Sequence, residues 1–555
     1  MRSRARLSAL ALVAALAGCA SPPVRFADRA ILWIDPDDLP IAQPPPRPPM
    51  GNGRFWVGAN DAIFEPGERF FNVEYGVEAA NVNAVDEVPD STWWTDPRRD
   101  PAHPSAPLRA LAADELTRAA GDGTTPEPPF RITAGLAGGS TAGFVAVDAR
   151  GRKWALKFDP ENHVGLVTGA DAIASRLAWA SGWRVPDDLI IEVSRSDLIL
   201  APDAKMPNRW GQKEHLDAGD VDSILWHCAR EADGRYRVGA SRWIAGKVLG
   251  PISWLGRDKH DPNDRVAHED RRDLRGFGVW ASWVDDVDII ENNTLDSYVG
   301  KPGQGHVVHY QLDVGGAFGT FSDTVAPFWM GDQSYFQADR IFAALFTLGF
   351  SRYRWDDPRW QERRRAIIAE YPEIGGFDGE HFDPRAWRPI VDVPPIVRMT
   401  ARDRYWAAKH VAAFSRGEIA AVVATAHHRP AAATFLEQAL WQRRERIARD
   451  AFSESAPLDH FAVDGARLCF VDLWLRSGLG GEAGTVWRAR EEGRVLGFVH
   501  GAGSDGGVCM TLPPRDGYRV VVLDAARPGE RHFGPTVAVH LMVQGGRARV
   551  IGVAR

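Results

Sequence analysis

From about residue 130 the chain alternates apolar and polar positions. Phe144-Val-Ala-Val-Asp148 and Lys153-Trp-Ala-Leu-Lys157-Phe158 each read as a short strand, and Ala149-Arg-Gly151 between them is a hairpin signal. The stretch 137–143, Ala-Gly-Gly-Ser-Thr-Ala-Gly, reads as a glycine-rich turn between two strands. The period then lengthens. Residues 168–181 read as a helix closed by Gly182 with Pro186 beyond it. Residues 269–284 read as another, with Leu274, Phe277, Ala281 and Val284 on one face. Residues 330–454 continue helical: Ser415-Arg-Gly-Glu418 is a capping box, and Pro430 suits the first turn of a helix running to residue 450. After residue 456 the period returns to two. The runs 518–523 and 537–543, the latter turned by Gln544-Gly-Gly546 into 549–553, predict a small antiparallel β-sandwich.

The two flanks of this pattern carry different information. Residues 51–125 are rich in Asn, Asp, Pro and aromatics without a sustained period, and read as an irregular extension packed on the next domain. Gln43-Pro-Pro-Pro-Arg-Pro-Pro49 reads as a stiff, extended spacer. At the start, Arg2, Arg4 and Arg6 precede an apolar run, 7–16, too short to span a bilayer, and Leu16-Ala-Gly-Cys19 is a small-residue cleavage site.

Composition narrows the class. The chain has 555 residues, 45% hydrophobic and 25% charged, as globular proteins do, and is long enough for two or three cored domains. The net charge of −7 and the lack of a basic, aromatic-interleaved tract argue against nucleic acid as a partner. Beyond Cys19 only Cys228, Cys469 and Cys509 remain; Cys469 and Cys509 can pair, but no disulfide framework is implied. No zinc-type Cys or His spacing occurs. His306 and His309 precede an apparent strand, where odd spacing places them on opposite faces, and they read as structural.

Four stretches carry chemistry. Lys157 lies on a strand followed by a helix whose first turns contain Asp171, an arrangement in which an ammonium holds nucleotide phosphates while pairing with a helix carboxylate. The turn residues Gly138, Gly139, Ser140 and Gly143 can bring backbone N–H groups against a phosphate. The 269–284 helix delivers the chain into Asp285-Asp-Val-Asp288-Ile-Ile-Glu-Asn-Asn293. There Asp288 and Asn293 have the Asp-x-x-x-x-Asn spacing that presents a proton acceptor to a hydroxyl and an oxygen to Mg²⁺. Twenty-five residues beyond Asp288 comes Asp313-Val-Gly315, with Asp313 as a second metal ligand and Gly315 permitting the turn.

In that order the motifs resemble the atypical kinases of the persistence-toxin (HipA-like) and spore-coat (CotH-like) group of the protein-kinase-like superfamily. The resemblance covers roughly residues 130–450. The chain departs from it in lacking a His or Arg beside the base: Val287 precedes Asp288, and Ile289 and Ile290 follow. It also resembles uncharacterised bacterial proteins sharing Lys-Phe-Asp-Pro, Asp261-Pro-Asn-Asp264, His268-Glu-Asp-Arg-Arg272 and Asn293-Thr-Leu-Asp296. Leu-Ala-Gly-Cys19 resembles the bacterial lipobox, which implies a lipidated Cys19. With Ala20-Ser21 after it, the implied place is the cell envelope, at the outer membrane, on either its periplasmic face or its surface.

The expectation is therefore an α+β chain: signal peptide 1–19, Pro-rich linker 20–50, extension 51–125, a bilobal kinase-like domain 126–455 and a β-sandwich-like domain 456–555. As an enzyme it would use a nucleotide, ATP or another, with Mg or Mn, and transfer phosphate to a hydroxyl of a protein or small molecule. Asp288 and Lys157 would be catalytic and Asn293 and Asp313 metal-binding. Against this, ATP is scarce where a lipoprotein resides. A non-catalytic scaffold that kept the fold is the competing class, and a metal-dependent hydrolase using Asp285, Asp286 and Asp288 is a third. The terminal β domain either binds an envelope protein or glycan or simply packs. Arg271, Arg272 and Arg275 either clamp a substrate anion or pair with Glu269 and Asp273 on a solvated helix, while Arg443, Arg444 and Arg446 read as a solvated face.

Overall fold

The computed structural model describes residues 26–47, 76–136, 142–208, 212–348, 350 and 352–555. Cys19 and the turn residues Gly138, Gly139 and Ser140 lie outside them. Seven strands form the first sheet: β1 (Phe130–Gly135), β2 (Gly143–Val147), β3 (Lys153–Phe158), β4 (Asp188–Val193), β5 (Leu198–Pro207), β6 (Lys213–His215) and β7 (Tyr236–Arg242), in the order β4-β7-β3-β2-β1-β5-β6. The β2–β3 turn forms because Asp148 Oδ1 accepts from Arg150 and Arg152 N–H, both at 2.9 Å, while Gly151 supplies a φ of 78°. Alternation along β3 buries Trp154, Leu156 and Phe158 on one face and turns Lys157 to the other.

On that other face lies the helix Leu166–Ala180, buried along nearly its whole length. Asp159, in the Lys-Phe-Asp-Pro sequence, holds its start: Oδ1 accepts from Val167 and Thr168 N–H at 2.9 Å and Oδ2 from Gly165 N–H at 2.8 Å. This carboxylate satisfies donors that the first turn of a helix cannot pair internally.

A short sheet of β8 (Lys247–Gly250), β9 (Thr294–Val299) and β10 (His306–Gln311) in the order β10-β9-β8, and the two-residue strands β11 (Thr320–Phe321) and β12 (Thr324–Val325), lead into the helical part. Its centre is the helix Arg272–Val284, a turn shorter than its sequence pattern suggests because His268–Asp270 is a 3₁₀ turn. It packs with Ala401–Ala412 and Pro430–Glu454 around Phe277, Trp280, Trp283, Trp406 and Leu440. The terminal β domain comprises a three-stranded sheet, β13 (Leu458–Asp464), β14 (Arg467–Asp472) and β17 (Gly507–Thr511), and a five-stranded one. The latter holds β15 (Val486–Glu491), β16 (Arg494–Val499), β18 (Gly517–Ala526), β19 (Val537–Gln544) and β20 (Arg547–Ala554). Leu468, Phe470 and Val508 of one sheet share a core with Trp487, Val521, Leu523 and Val539 of the other, as a sandwich requires. Cys469 and Cys509 stand opposite each other on β14 and β17 and form a disulfide.

Three expectations are corrected here. The spacer through Arg47 is docked: Ile34 and Ile41 bridge to Asp90 and Gly305, and Arg47 donates to Asp258 (2.6 Å), Asp296 (2.5 Å) and Pro251 O (2.6 Å). Arg272 and Arg275 are neither solvated nor open to a substrate. Both are fully buried, Arg272 on Asp86 (2.7 Å) and Asp403 (2.9 Å), Arg275 on Asp403 (3.0 Å) and Asp270 (2.8 Å), and Arg271 is buried on Asp273 (2.9 Å). Arg443 and Arg444 are buried too, Arg443 over Phe377 and Phe382 and Arg444 over Trp441, leaving only Arg446 exposed. In each case the guanidinium finds carboxylate, carbonyl or aromatic partners inside the protein, which a charge count along the sequence does not show.

The same network fastens the β domain. Lys409 pairs with Glu87 and with Asp459 (3.1 Å), and the buried Arg555 reaches Asp459 (3.2 Å) and Asp86 (3.5 Å). Extension, helical part and β domain thus share one set of buried ion pairs.

Candidate functional site

The site is assembled where β3, the Leu166–Ala180 helix and two loops meet. Lys157 Nζ lies 3.1 Å and 3.0 Å from the two carboxylate oxygens of Asp171 and also pairs with Asp313. Asp171 is reached because the helix start is pinned by Asp159, which fixes the rotation of the second turn. Asp is shorter than Glu, yet it suffices here because the helix lies close to the sheet: a Cβ on Gly239 of β7 would stand 3.8 Å from Asp171 Oδ2.

Two loops complete the arrangement. The helix Arg272–Val284 ends at Asp285 with a left-handed φ of 66°, and Asp286 N–H returns to Ala281 O at 2.9 Å. Asn293, in the 3₁₀ turn Glu291–Asn293, donates its Nδ2 to Asp288 O (2.8 Å) and Oδ2 (3.1 Å). The Asp313 loop is laced to this one: Phe318 N–H donates to Val284 O at 2.7 Å and Leu312 N–H to Asn293 O at 2.8 Å. Asp313 itself has a positive φ of 50° and a half-exposed carboxylate.

Gly315 is required for a reason other than the turn. A Cβ there would stand 1.9 Å from Asp171 Oδ1 and 3.2 Å from Asp171 Cα, so the loop can abut the helix only with glycine at this position. Gly143 is similarly constrained: a Cβ would meet Leu156 O at 2.4 Å and Leu136 Cδ1 at 2.5 Å.

The electrostatics follow from one ammonium among several carboxylates. Burial alone would lower Lys157, but Asp171, Asp313 and Asp188 together hold it above the ordinary lysine value and charged. Burial pushes Asp171 up to about 7, against the pull of Lys157, with Asp188 and Asp313 adding to the rise. Asp188, on β4 and hydrogen-bonded by Ser241, is likewise raised by burial to about 6. Asp286 is raised well above the carboxylate range by burial and by Asp288, and its Oδ1 is buried without a hydrogen-bond partner. Asp188 escapes detection in the sequence because nothing about an Asp opening a strand signals a site two strands away.

The hydrolase cluster does not converge. Asp285 Oδ1 accepts from Trp387 Nε1 at 2.9 Å, with Arg443 at 3.5 Å, and so serves the helical core. Among the described residues no three or more His, Cys, Asp or Glu side chains are grouped to hold a metal by themselves. His309 is structural, as expected, paired with Asp296 at 2.5 Å and stacked on Trp93. A separate cleft of about 770 Å³, lined by Arg359, Trp360, Arg363, His381, Arg446 and Arg449 among others, includes none of the predicted site residues.

No family model matches the chain, and no curated protein matches its sequence. Among solved structures it shows weak similarity to two of the Golgi casein kinase. One has Mn/ADP bound, with 10% identity, a TM-score of 0.30, and coverage of 61% of this chain and 74% of that one. The other has the same identity and TM-score and 76% of its own chain covered.

Proposed function

We propose that this cleft binds a nucleotide with Mg²⁺ or Mn²⁺ and transfers a phosphoryl group to a hydroxyl of a protein or small molecule, on a chain anchored to the envelope through lipid on Cys19. The observation that carries the reading is Lys157 held between Asp171 and Asp313, beside a loop on which Asn293 fixes Asp288. In that reading Lys157 takes phosphate oxygens, and Asp313 would hold the cation together with Asn293, whose Nδ2 is turned to Asp288 and so leaves Oδ1 for it. The residues fit such a group: Mg²⁺ is ordinarily bound by one or two carboxylates plus phosphates, not by an all-protein cage, and Asp286 leaves a buried oxygen without a hydrogen-bond partner behind the loop. When bound, the cation neutralises charge on the phosphates. Asp288 orients the attacking hydroxyl and receives its proton; no covalent enzyme intermediate is needed.

The test is thermal unfolding of the chain from Ala20 with a panel of nucleotides and Mg²⁺ or Mn²⁺. A ligand at a hundred times its Kd stabilises by about 2.7 kcal/mol, a shift of about 2–3 °C in a chain of this length. The shift is expected to vanish in Asp313→Ala. No shift with any nucleotide and either metal rejects the reading.

One observation favours the scaffold alternative: Asp313 is already paired with Lys157, so a cation must compete for it. If Asp288→Asn combined with Asp313→Asn retains its binding partners and rescues a deletion phenotype, the scaffold reading replaces the enzymatic one.

A further inference from the structure

The helix Ala338–Phe346 and the turn after it present large apolar side chains to solvent: Ile341, Phe342, Leu345, Phe346, Leu348 and Phe350 are between 47% and 87% exposed. Within the helix, positions 341, 342, 345 and 346 lie on one face. A concentrated patch of this kind marks an interaction surface, unlike singly scattered apolar residues. Its flanks are basic. Arg340 and Arg352 are exposed, and in sequence Asp339 is the one acidic residue between 338 and 354. An apolar face bordered by arginine is the composition of a segment that lies in the headgroup region of an anionic bilayer.

The chain's attachment supplies a second argument. Six residues separate Cys19 from Phe26, a reach of at most about 25 Å. Phe26 is seated on the β domain, its ring 4.7 Å from that of His540 and against Gly552. Because the Pro-rich segment through Arg47 is docked as well, a lipid on Cys19 would keep the body close to the bilayer instead of at the end of a long spacer.

We propose that the Ile341–Phe350 patch inserts into the interface of an anionic membrane, giving the protein a second membrane contact beside its lipid. The inference rests on the lipid-anchor reading for the proximity of the bilayer, but its test does not use the lipid. The chain from Ala20, made without acylation, keeps every described element and is sedimented with vesicles of phosphatidylglycerol and phosphatidylethanolamine, or of phosphatidylcholine alone. Binding to the anionic vesicles, weakened by salt, is expected. The double variant Phe346→Glu, Leu348→Glu should bind at least about tenfold more weakly, with an unchanged melting temperature because both side chains are exposed. A Leu345→Cys variant carrying a polarity-sensitive thiol dye, with Cys228 buried and Cys469 and Cys509 paired, should shift the dye's emission to the blue on binding. Absence of binding by the parent chain, equal binding by the double variant, or self-association abolished by the variant without vesicle binding would each overturn the proposal; the last would make the patch a contact between copies. Incorporation of labelled fatty acid into the full chain and its Cys19→Ser variant tests the anchor separately.

Discussion

Replacing Gly315 by alanine tests the construction of the site at its tightest point. The added methyl would stand 1.9 Å from Asp171 Oδ1, 2.7 Å from its Cγ and 3.2 Å from its Cα. The carboxylate could rotate away, but the Cα belongs to a buried helix pinned at its start by Asp159, so loop or helix must move. Overpacking of this kind costs about 1–3 kcal/mol. The displacement also falls on the carboxylate that holds Lys157 at 3.0 Å. The neighbouring Gly316 is the control: its Cβ would lie 3.1 Å from Asp286 Oδ1 and 3.5 Å from Asp288 Cβ, contacts that a small side-chain movement relieves. The assay is thermal unfolding of both variants beside the parent, repeated with nucleotide and Mn²⁺. Gly315→Ala should lower the melting temperature by about 1 °C per kcal/mol lost and weaken the nucleotide-dependent shift, while Gly316→Ala changes melting little. If Gly315→Ala melts like the parent, or Gly316→Ala proves the more damaging, the helix and loop are not in the contact described.

Other predictions concern the surrounding charges and the β domain. Asp171 and Asp188, raised by burial from an ordinary 3.8 to about 7 and about 6, bind protons more tightly folded than unfolded; their contribution is fully present below pH 3.8 and is lost as pH rises through 6–7. Asp188→Asn should therefore flatten the fall in melting temperature between about pH 4 and 6, and an unchanged slope would contradict the assignment. Arg272→Met leaves Asp86 and Asp403 buried with reduced compensation and should cost about 3–5 kcal/mol by urea unfolding, whereas Arg446→Ala on the surface should cost well under 1 kcal/mol. Replacing Cys469 and Cys509 by serine opens a loop of 40 residues and should destabilise by about 4 kcal/mol on the chain-entropy account. Since Arg555 and Lys409 tie the β domain to the helical part, calorimetry should show one shifted transition; an independent early transition would show that this tie is weak.

Periodicity alone determined much of this protein: the β2–β3 hairpin, the helix carrying Asp171, the central helix and the terminal β domain. It could do so because alternation and helical spacing are local consequences of which side each residue buries. Motif spacing likewise brought forward Lys157, Asp171, Asp288, Asn293 and Asp313, since each depends on its place within or beside one element. Only the tertiary structure decided which partners those elements bring. Asp188 joins Lys157 from a strand two places away in the sheet, Gly315 is fixed by Asp171 and not by its own turn, and Arg272 meets Asp86 and Asp403 from either side of it along the chain. Whether Arg272 is solvated or buried, or the proline-rich segment free or docked, depends on acceptors 131 to 249 residues distant. No local pattern encodes these, because the cost of burying a charge is offset only by groups that folding brings to it.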